Sequence, residues 1–298
     1  MADLAVVVVN YNAGEHLLRC LASVYASAGD LSLDVVVVDN ASRDGSAARA
    51  AAVHPAVRLL ENPVNRGFAA AANRGIRESD APCVFLLNPD AEVIGGTLAS
   101  LLKIANDRPA AGVVGVLVRN TDGTLQPSAR KVPGIAEGLG HAFLGPVRPD
   151  NPFTRSYTMA GWDRESEREV DWVSGSAMLL RRAALDEVGL FDEGYFMYVE
   201  DVDLCTRMRR AGWTVLFSPE LQVTHVTGVS SRSAPRRMAH EHSKSIYRYF
   251  TKHVATGPSA ALKPLARAAL WARASLVARR ADVPARRADV PARRPPTP

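Results

Sequence analysis

Apolar residues in this chain fall into short unbroken runs separated by polar, glycine-bearing links. Ala5–Val9, Val35–Val38, Val57–Leu60, Val84–Leu87 and Val113–Val118 read as strands, and unbroken runs rather than alternation predict strands covered on both faces. Between them the pattern changes period. Leu17, Leu18, Leu21 and Val24 share one helical face, and Ala47–Val53, Ala69–Arg77 and Leu98–Ala105 also read as helices. Strand–helix alternation with short links predicts an α/β fold: a doubly wound, mostly parallel central sheet with helices on both faces.

The pattern loosens from Asn120 to Arg168, where Gly, Pro and charge predict irregular loops with one helix near Ile135–Phe143. It resumes with a strand over Val170–Leu180, a helix over Val202–Ala211, a strand over Thr214–Ser218 and a helix over Arg236–Lys252. Pro264–Ala278 reads as a basic helix, either docked on the rest of the chain or lying on a membrane surface. Ala278–Pro284 and Ala285–Pro291 are one heptapeptide repeated, Ala-Arg-Arg-Ala-Asp-Val-Pro, and a third copy begins at Ala292. Its regular prolines and lack of apolar period predict a disordered tail. The expected division is a folded domain over 1–255, followed by a basic helix and tail over 256–298.

Charge sharpens that division. Residues Pro258 to Pro298 hold nine Lys/Arg and two Asp/Glu, a net of +7, whereas residues 1–257 carry a net of −2. The basicity belongs to the tail, which argues against a nucleic-acid-binding domain and for a tail attracted to an anionic membrane surface. No run of 18 apolar residues suits a transmembrane helix, and the first residues read as a strand rather than a charged leader. Cys20, Cys83 and Cys205 lack pairing or metal-ligand spacing and read as small core residues.

In open parallel sheets ligands bind beyond the carboxyl ends of the strands. Polar sets sit there four times: Asn10-Tyr11-Asn12, Asp39-Asn40, Asn65-Arg66-Gly67-Phe68 and Asn88-Pro89-Asp90. Each alone is compatible with turn chemistry, and Asp44-Gly45 reads mainly as a turn or helix start. Together they describe a rim. Neither a Gly-x-Gly-x-x-Gly fingerprint nor a Gly-Lys-Ser/Thr phosphate loop is present, which disfavours a dinucleotide. The remaining logic is a nucleotide whose base meets Asp39 and whose diphosphate is neutralised by Mg²⁺ or Mn²⁺, a task that suits Asp90. Glu200 and Asp201 stand at a helix start, where acids are also favoured by the macrodipole. His225 follows an apolar strand and would complete a metal shell with Asp90.

These residues, with Trp172-Val173-Ser174-Gly175-Ser176 and Glu200-Asp201-Val202-Asp203, resemble the inverting glycosyltransferases of family 2, which have the GT-A fold. The resemblance spans roughly residues 4 to 250. It implies that Asp39 contacts the base, helped by backbone near Asn10 and Tyr11, with Asn12, Asn65, Arg66, Gly67 and Asn88 completing the nucleotide site. Asn88-Pro89-Asp90 resembles the family's Asp-x-Asp metal motif with an amide at its first position, leaving Asp90 as the main metal carboxylate. His225 falls where relatives supply a metal-coordinating histidine. Asp201 matches the catalytic base, and Glu200 its acidic neighbour.

Gln126-Pro127-Ser128-Ala129-Arg130, Leu144-Gly145-Pro146 with Asn151-Pro152, and Tyr195–Leu204 are similar to actinobacterial rhamnosyltransferases. Those act on N-acetylglucosaminyl-diphospho-decaprenol in assembly of the arabinogalactan linker of the cell wall. That resemblance implies a dTDP-L-rhamnose donor, a polyprenyl-diphosphate-linked GlcNAc acceptor, and a cytoplasmic site at the inner face of the membrane. Arg130 is a candidate contact for acceptor phosphate. A transferase of another nucleotide sugar, a non-catalytic nucleotide-sugar binder and a nucleotidyltransferase stand as alternatives.

Overall fold

The computed structural model describes residues 2–145, 147–226 and 235–281. The first half alternates β1 (Leu4–Asn10), α1 (Glu15–Ala26), β2 (Leu33–Asp39), α2 (Ser46–Val53), β3 (Arg58–Glu61), α3 (Phe68–Arg77) and β4 (Cys83–Leu87). Then come β5 (Ala91–Gly95), α4 (Leu98–Asp107), β6 (Ala111–Arg119), β7 (Ala129–Arg130), α5 (Ile135–Leu144), α6 (Pro152–Tyr157), β8 (Arg168–Glu169) and β9 (Trp172–Val173). The chain continues through β10 (Ala177–Arg181), α7 (Arg182–Val188), α8 (Glu200–Arg210), β11 (Thr214–His225), α9 (Pro235–Tyr249) and α10 (Lys263–Ala281).

The main sheet runs β3-β2-β1-β4-β10-β6-β11-β5, with β8 added on β11. β1 is parallel to β2 and β4, β2 to β3, and β6 to β11. β10 runs against both neighbours and so joins the parallel β3-β2-β1-β4 set to the parallel β6–β11 pair, which β5 and β8 flank antiparallel. Register matters for the site, because Asn10 pairs with Asp39 and Asp39 with Glu61, so these strands end level on one rim.

The apolar runs are buried as their lack of alternation requires. Val7, Val36 and Val38 pack one face of the sheet against Ala71 and Ile76 of α3 and Leu204 and Met208 of α8. Val6, Val8, Val35 and Val37 pack the other against Leu17 and Leu21 of α1 and Leu98 and Leu101 of α4. Each such side chain contributes roughly 1.5–3 kcal/mol by leaving water. Cys20, Cys83 and Cys205 are buried free thiols, as expected of core residues.

Several elements differ from the sequence expectation. Val170–Leu180 is not one strand. β9 pairs with β7 in a separate two-stranded sheet, and β10 joins the main one. The Ser174-Gly175-Ser176 turn between them is held by Ser174 N donating to Ser128 O (2.7 Å) and Asn88 N donating to Ser176 O (2.8 Å). β11 runs on past Ser218 to His225, with a register slip between Ser218 and Gln222 beside Pro219, a residue that strands tolerate at bulges. The loop region carries a second helix, α6, capped by the Asn151 side chain on Thr154 N (3.0 Å). Pro146 and most of the heptapeptide tail, from residue 282, lie outside the described residues. α10 packs along α9, burying Ala274 and Ala278 while leaving Leu265 and Trp271 about two-thirds exposed at 68% and 67%.

Candidate active site

Asn10 and Asp39 meet at the carboxyl rim because β1 and β2 end in register. Asn10 Nδ2 donates to Asp39 Oδ1 (2.7 Å), Ser42 Oγ (3.1 Å) and Ser46 Oγ (2.8 Å). Ser42 N donates to Asp39 Oδ2 (3.0 Å), so the carboxylate is gripped by both oxygens yet keeps lone pairs for a ligand. Asn12, in the left-handed region at φ 51°, accepts from Arg43 N (2.7 Å) and donates its own N–H to Ser42 Oγ (2.9 Å). Tyr11 lies half-buried beside them. Asp44 works locally: it accepts from Ser46 N (3.0 Å) and Gly14 N (2.8 Å), the turn role its Asp-Gly pair suggested.

Asn40 carries this pocket to the next loop. Its Nδ2 donates to Asn65 Oδ1 (2.9 Å) and Gly67 O (3.1 Å), and its Oδ1 accepts from Arg66 N (3.0 Å). Gly67 sits at φ +86°, where a Cβ would collide with the Phe196 carbonyl. The next residue uses that contact, Phe68 N donating to Phe196 O (2.7 Å), which ties the loop to the segment before α8. The Arg66 guanidinium turns outward to Glu193 (3.2 Å).

β4 and β11 bring Asn88, Asp90 and His225 together. His225 Nε2 lies 3.2 Å from Asp90 Oδ1 and 3.2 Å from Asn88 Nδ2. Gln126 donates its Nε2 to His225 O (3.0 Å) and Asn120 Oδ1 (2.8 Å), which fixes the amide so that Oε1 faces His225 Nδ1 at 3.2 Å. An acceptor there puts the proton on Nδ1 and leaves the Nε2 lone pair facing Asp90. A carboxylate and an imidazole lone pair converging from two strands fit a divalent cation. Among the described residues no group of three or more His, Cys, Asp or Glu could hold a metal, so this pair suits Mg²⁺ or Mn²⁺ sharing its remaining positions with phosphates and water.

Glu200 and Asp201 open α8 after two strained residues, Tyr198 at φ 70° and Val199 at φ 69°. Asp201 Oδ2 accepts from Gly175 N (2.9 Å) and Oδ1 from Val202 N (2.8 Å). Burial pushes both carboxyls up. Glu200 goes well above the usual range, driven by burial and then by the charge of Asp201, and its Oε2 is buried with no partner. In Asp201 burial is opposed by the two amides and by nearby Arg130, so its rise is smaller. Of the two neighbouring carboxyls, Glu200 has the surroundings that favour the proton more strongly, while the amides and Arg130 favour charge on Asp201.

One short path connects this carboxylate to the cation pair. Gly175 binds Asp201, and the next residue, Ser176, accepts from Asn88 N (2.8 Å). Two hydrogen bonds therefore tie the turn that holds Asp201 to the loop that carries Asn88 and Asp90. Sequence reading left three parts of it unassigned: Asn40, which shapes the 65–67 loop, Gly175, which holds Asp201, and Gln126, which sets the His225 tautomer. All three stood inside quoted motifs, but the partners Asn65, Asp201 and His225 are 25 or more residues away and no spacing rule reports them. Arg130 lies over Tyr157 (5.2 Å) and Trp172 (5.1 Å) and donates to Tyr157 Oη (3.2 Å).

Comparisons with known proteins point to one family. Residues 5–189 match the profile of the glycosyl transferase family 2. The chain is 39% identical over 287 residues, 93% of each chain, to the N-acetylglucosaminyl-diphospho-decaprenol L-rhamnosyltransferase of Mycobacterium tuberculosis. It is 30% identical over 177 residues, 59% of this chain and 64% of the other, to the rhamnosyltransferase WbbL of Escherichia coli. Among solved structures, its fold is similar to the mannosyltransferase PcManGT of Pyrobaculum calidifontis in complex with GDP-Man and Mn²⁺. That match has a TM-score of 0.55 at 19% identity, over 94% of this chain and 74% of the other. S. aureus TarS 1–349 matches with a TM-score of 0.55 at 14% identity, over 94% and 82%.

Proposed function

This chain belongs to glycosyltransferase family 2, and from that premise we propose that it is an inverting transferase moving L-rhamnose from dTDP-L-rhamnose to N-acetylglucosaminyl-diphospho-polyprenol. The observation that supports the reading is the Asp201–Gly175–Ser176–Asn88 path, which links the Asp201 carboxyl to the loop bearing the Asp90–His225 pair.

Asp39, held by Asn10 and Ser42, accepts from the nucleobase. Asn12, Asn65, Gly67 and Asn88 line the path of the nucleoside diphosphate. Asp90 and His225 would hold the divalent cation, which when bound supplies Lewis-acid stabilisation of the charge building on the departing dTDP. Asp201 accepts the proton of the acceptor hydroxyl as its oxygen forms a bond to the anomeric carbon and the bond from that carbon to the diphosphate breaks. A single displacement on a β-configured donor yields α-linked rhamnose. Positioned base catalysis contributes roughly 10²–10⁴-fold. Glu200, kept neutral, adds no second charge to oppose the phosphates.

A long polyprenyl acceptor requires work at a bilayer surface. No helix among the described residues is long and apolar enough to cross a membrane. The +7 of residues Pro258 to Pro298 and the exposed Leu265 and Trp271 of α10 support attachment to an anionic inner leaflet.

The test is a panel of nucleotide sugars offered with a short-chain GlcNAc-diphospho-lipid, with the product linkage read by NMR. The proposal expects dTDP-rhamnose to be used at least tenfold better than other donors and an α-rhamnosyl product. Preference for another sugar would keep the family and reject the donor.

A further inference from the structure

α10 is covered on one side only. Ala274 and Ala278 are buried where it packs along α9, while Leu265, Trp271 and Leu276 stay largely exposed. A helix with apolar residues on every side is ordinarily buried, so the bare side of α10 calls for a cover. An open groove of about 510 Å³ runs between the start of this helix and α9. It is lined by Tyr247 of α9 and by Lys263, Pro264, Arg267, Ala268 and Trp271 of α10.

Lys263, Arg267 and Trp271 are four residues apart, so they stand in one row along α10. Two like charges at that spacing oppose each other, and an anion between them relieves the repulsion. Among the described residues the side chains of Lys263 and Arg267 have no ion-pair or hydrogen-bond partner, and the Tyr247 hydroxyl has no hydrogen-bond partner. The groove therefore offers three donors that suit a phosphate. Beside them stand Pro264, Ala268 and the rings of Trp271 and Tyr247, which suit carbon.

We propose that this groove seats the headgroup phosphate of one anionic bilayer phospholipid. Lys263 and Arg267 hold the phosphate oxygens, the Tyr247 hydroxyl donates to one of them, and Trp271 lies against the glycerol and the first acyl carbons. Charge and apolar surface select this occupant together. A free phosphate answers the two cations and leaves Trp271 and Leu265 bare, whereas a lipid answers both. Tryptophan rings settle at the headgroup level of a bilayer, and basic side chains there are drawn to anionic lipid. The lipid-linked acceptor belongs beside Asp201, and none of the six lining residues is part of that site. The inference rests on reading the chain as working at a bilayer surface, and it adds a discrete one-to-one lipid site to attraction by net charge. Docking on the domain and contact with the membrane, alternatives when α10 is read from sequence, then hold together, one side of the helix serving each.

The test titrates monomeric dihexanoyl phosphatidylglycerol into the full chain, read by calorimetry and tryptophan fluorescence. Two variants each remove two charges: Lys263→Gln with Arg267→Gln in the groove, and Arg286→Gln with Arg287→Gln in the heptapeptide tail. The expected result is one site per chain in the parent, at least tenfold weaker binding by the groove variant, and affinity within twofold of the parent in the tail variant. Trp271→Phe should abolish the fluorescence change, and dTDP affinity within twofold of the parent checks the folding of every variant. Equal weakening by the two charge variants overturns the proposal in favour of diffuse attraction. Inorganic phosphate bound as tightly as the lipid gives the groove another occupant and overturns it too. So does citronellyl diphosphate bound at least tenfold more tightly than the lipid and lost in the groove variant. A parent that binds phosphatidylglycerol vesicles but not the monomeric lipid loses the discrete site and keeps the attachment, whereas one that binds neither loses both. No sugar transfer enters the readout, so rejection of rhamnose as donor would leave the result standing.

Discussion

Asp201 and Glu200 are neighbours in sequence with opposite assignments, and each assignment has a measurable consequence. Asp201→Asn keeps the hydrogen bonds that position the side chain but cannot take a proton. Turnover should fall by roughly 10²–10⁴-fold with dTDP affinity unchanged; retained turnover removes Asp201 as the base. Glu200→Gln imitates the neutral acid that burial of Glu200 favours and should stay within about tenfold of the parent. Because the Asp201 carboxyl is raised by burial, kcat should fall on the acid side with a midpoint above the ordinary aspartate value of about 3.9. Arg130 holds that value down, so the acid limb of Arg130→Gln should move to higher pH, read from a full pH–rate profile. At this scale the sequence was informative about which residues carry charge and silent about which of two carboxyls keeps it. That depends on amides supplied by Gly175 and on an arginine about seventy residues away.

Among the elements, α8 is fixed by Asp203 as well as by its buried apolar face. This fully buried carboxylate meets Arg207 (2.8 Å), Lys252 (2.7 Å) and His253 (2.7 Å), pinning the helix that carries Asp201 to the turn after α9. Burial alone would raise its pKa, but Lys252, His253 and Arg207 hold it below the usual range. Asp203→Asn takes the carboxylate from Arg207, while Lys252 keeps Asp192, and should cost about 1–3 kcal/mol in denaturant unfolding. The carboxylate's stabilisation is complete above about pH 4 and is lost as pH falls through its lowered value. Acid unfolding of the parent should therefore begin below pH 4, and the variant should lack that transition component. The strands of the first half were legible because burial on both faces leaves unbroken apolar runs. The split of Val170–Leu180 was not, since the break comes from long-range hydrogen bonds of Ser174 and Ser176 rather than from a local turn signal. β5 and α7 were missed because both are short, and α7 begins directly at the end of β10.

For the molecule as a whole, the uneven charge predicts where it meets a surface. Removing residues Pro258 to Pro298 takes away a net +7 together with α10. Binding to vesicles rich in phosphatidylglycerol should weaken in the truncated chain, and salt should weaken binding of the intact one, at roughly 1 kcal/mol per basic residue engaged. A truncated chain that sediments with vesicles as well as the parent refutes that attachment.

The antiparallel β10 has a further consequence for how the protein comes into being. β4 lies beside β1 on one side and waits for β10 on the other, and about ninety residues of synthesis separate the two, ~5–20 s at a ribosome's pace. Until then a nascent chain shows Cys83–Leu87 as a bare, sticky border. Products that stop short of Ala177 should accumulate in inclusion bodies or on chaperones, and the nucleotide-binding half should not be separable as a free-standing fragment.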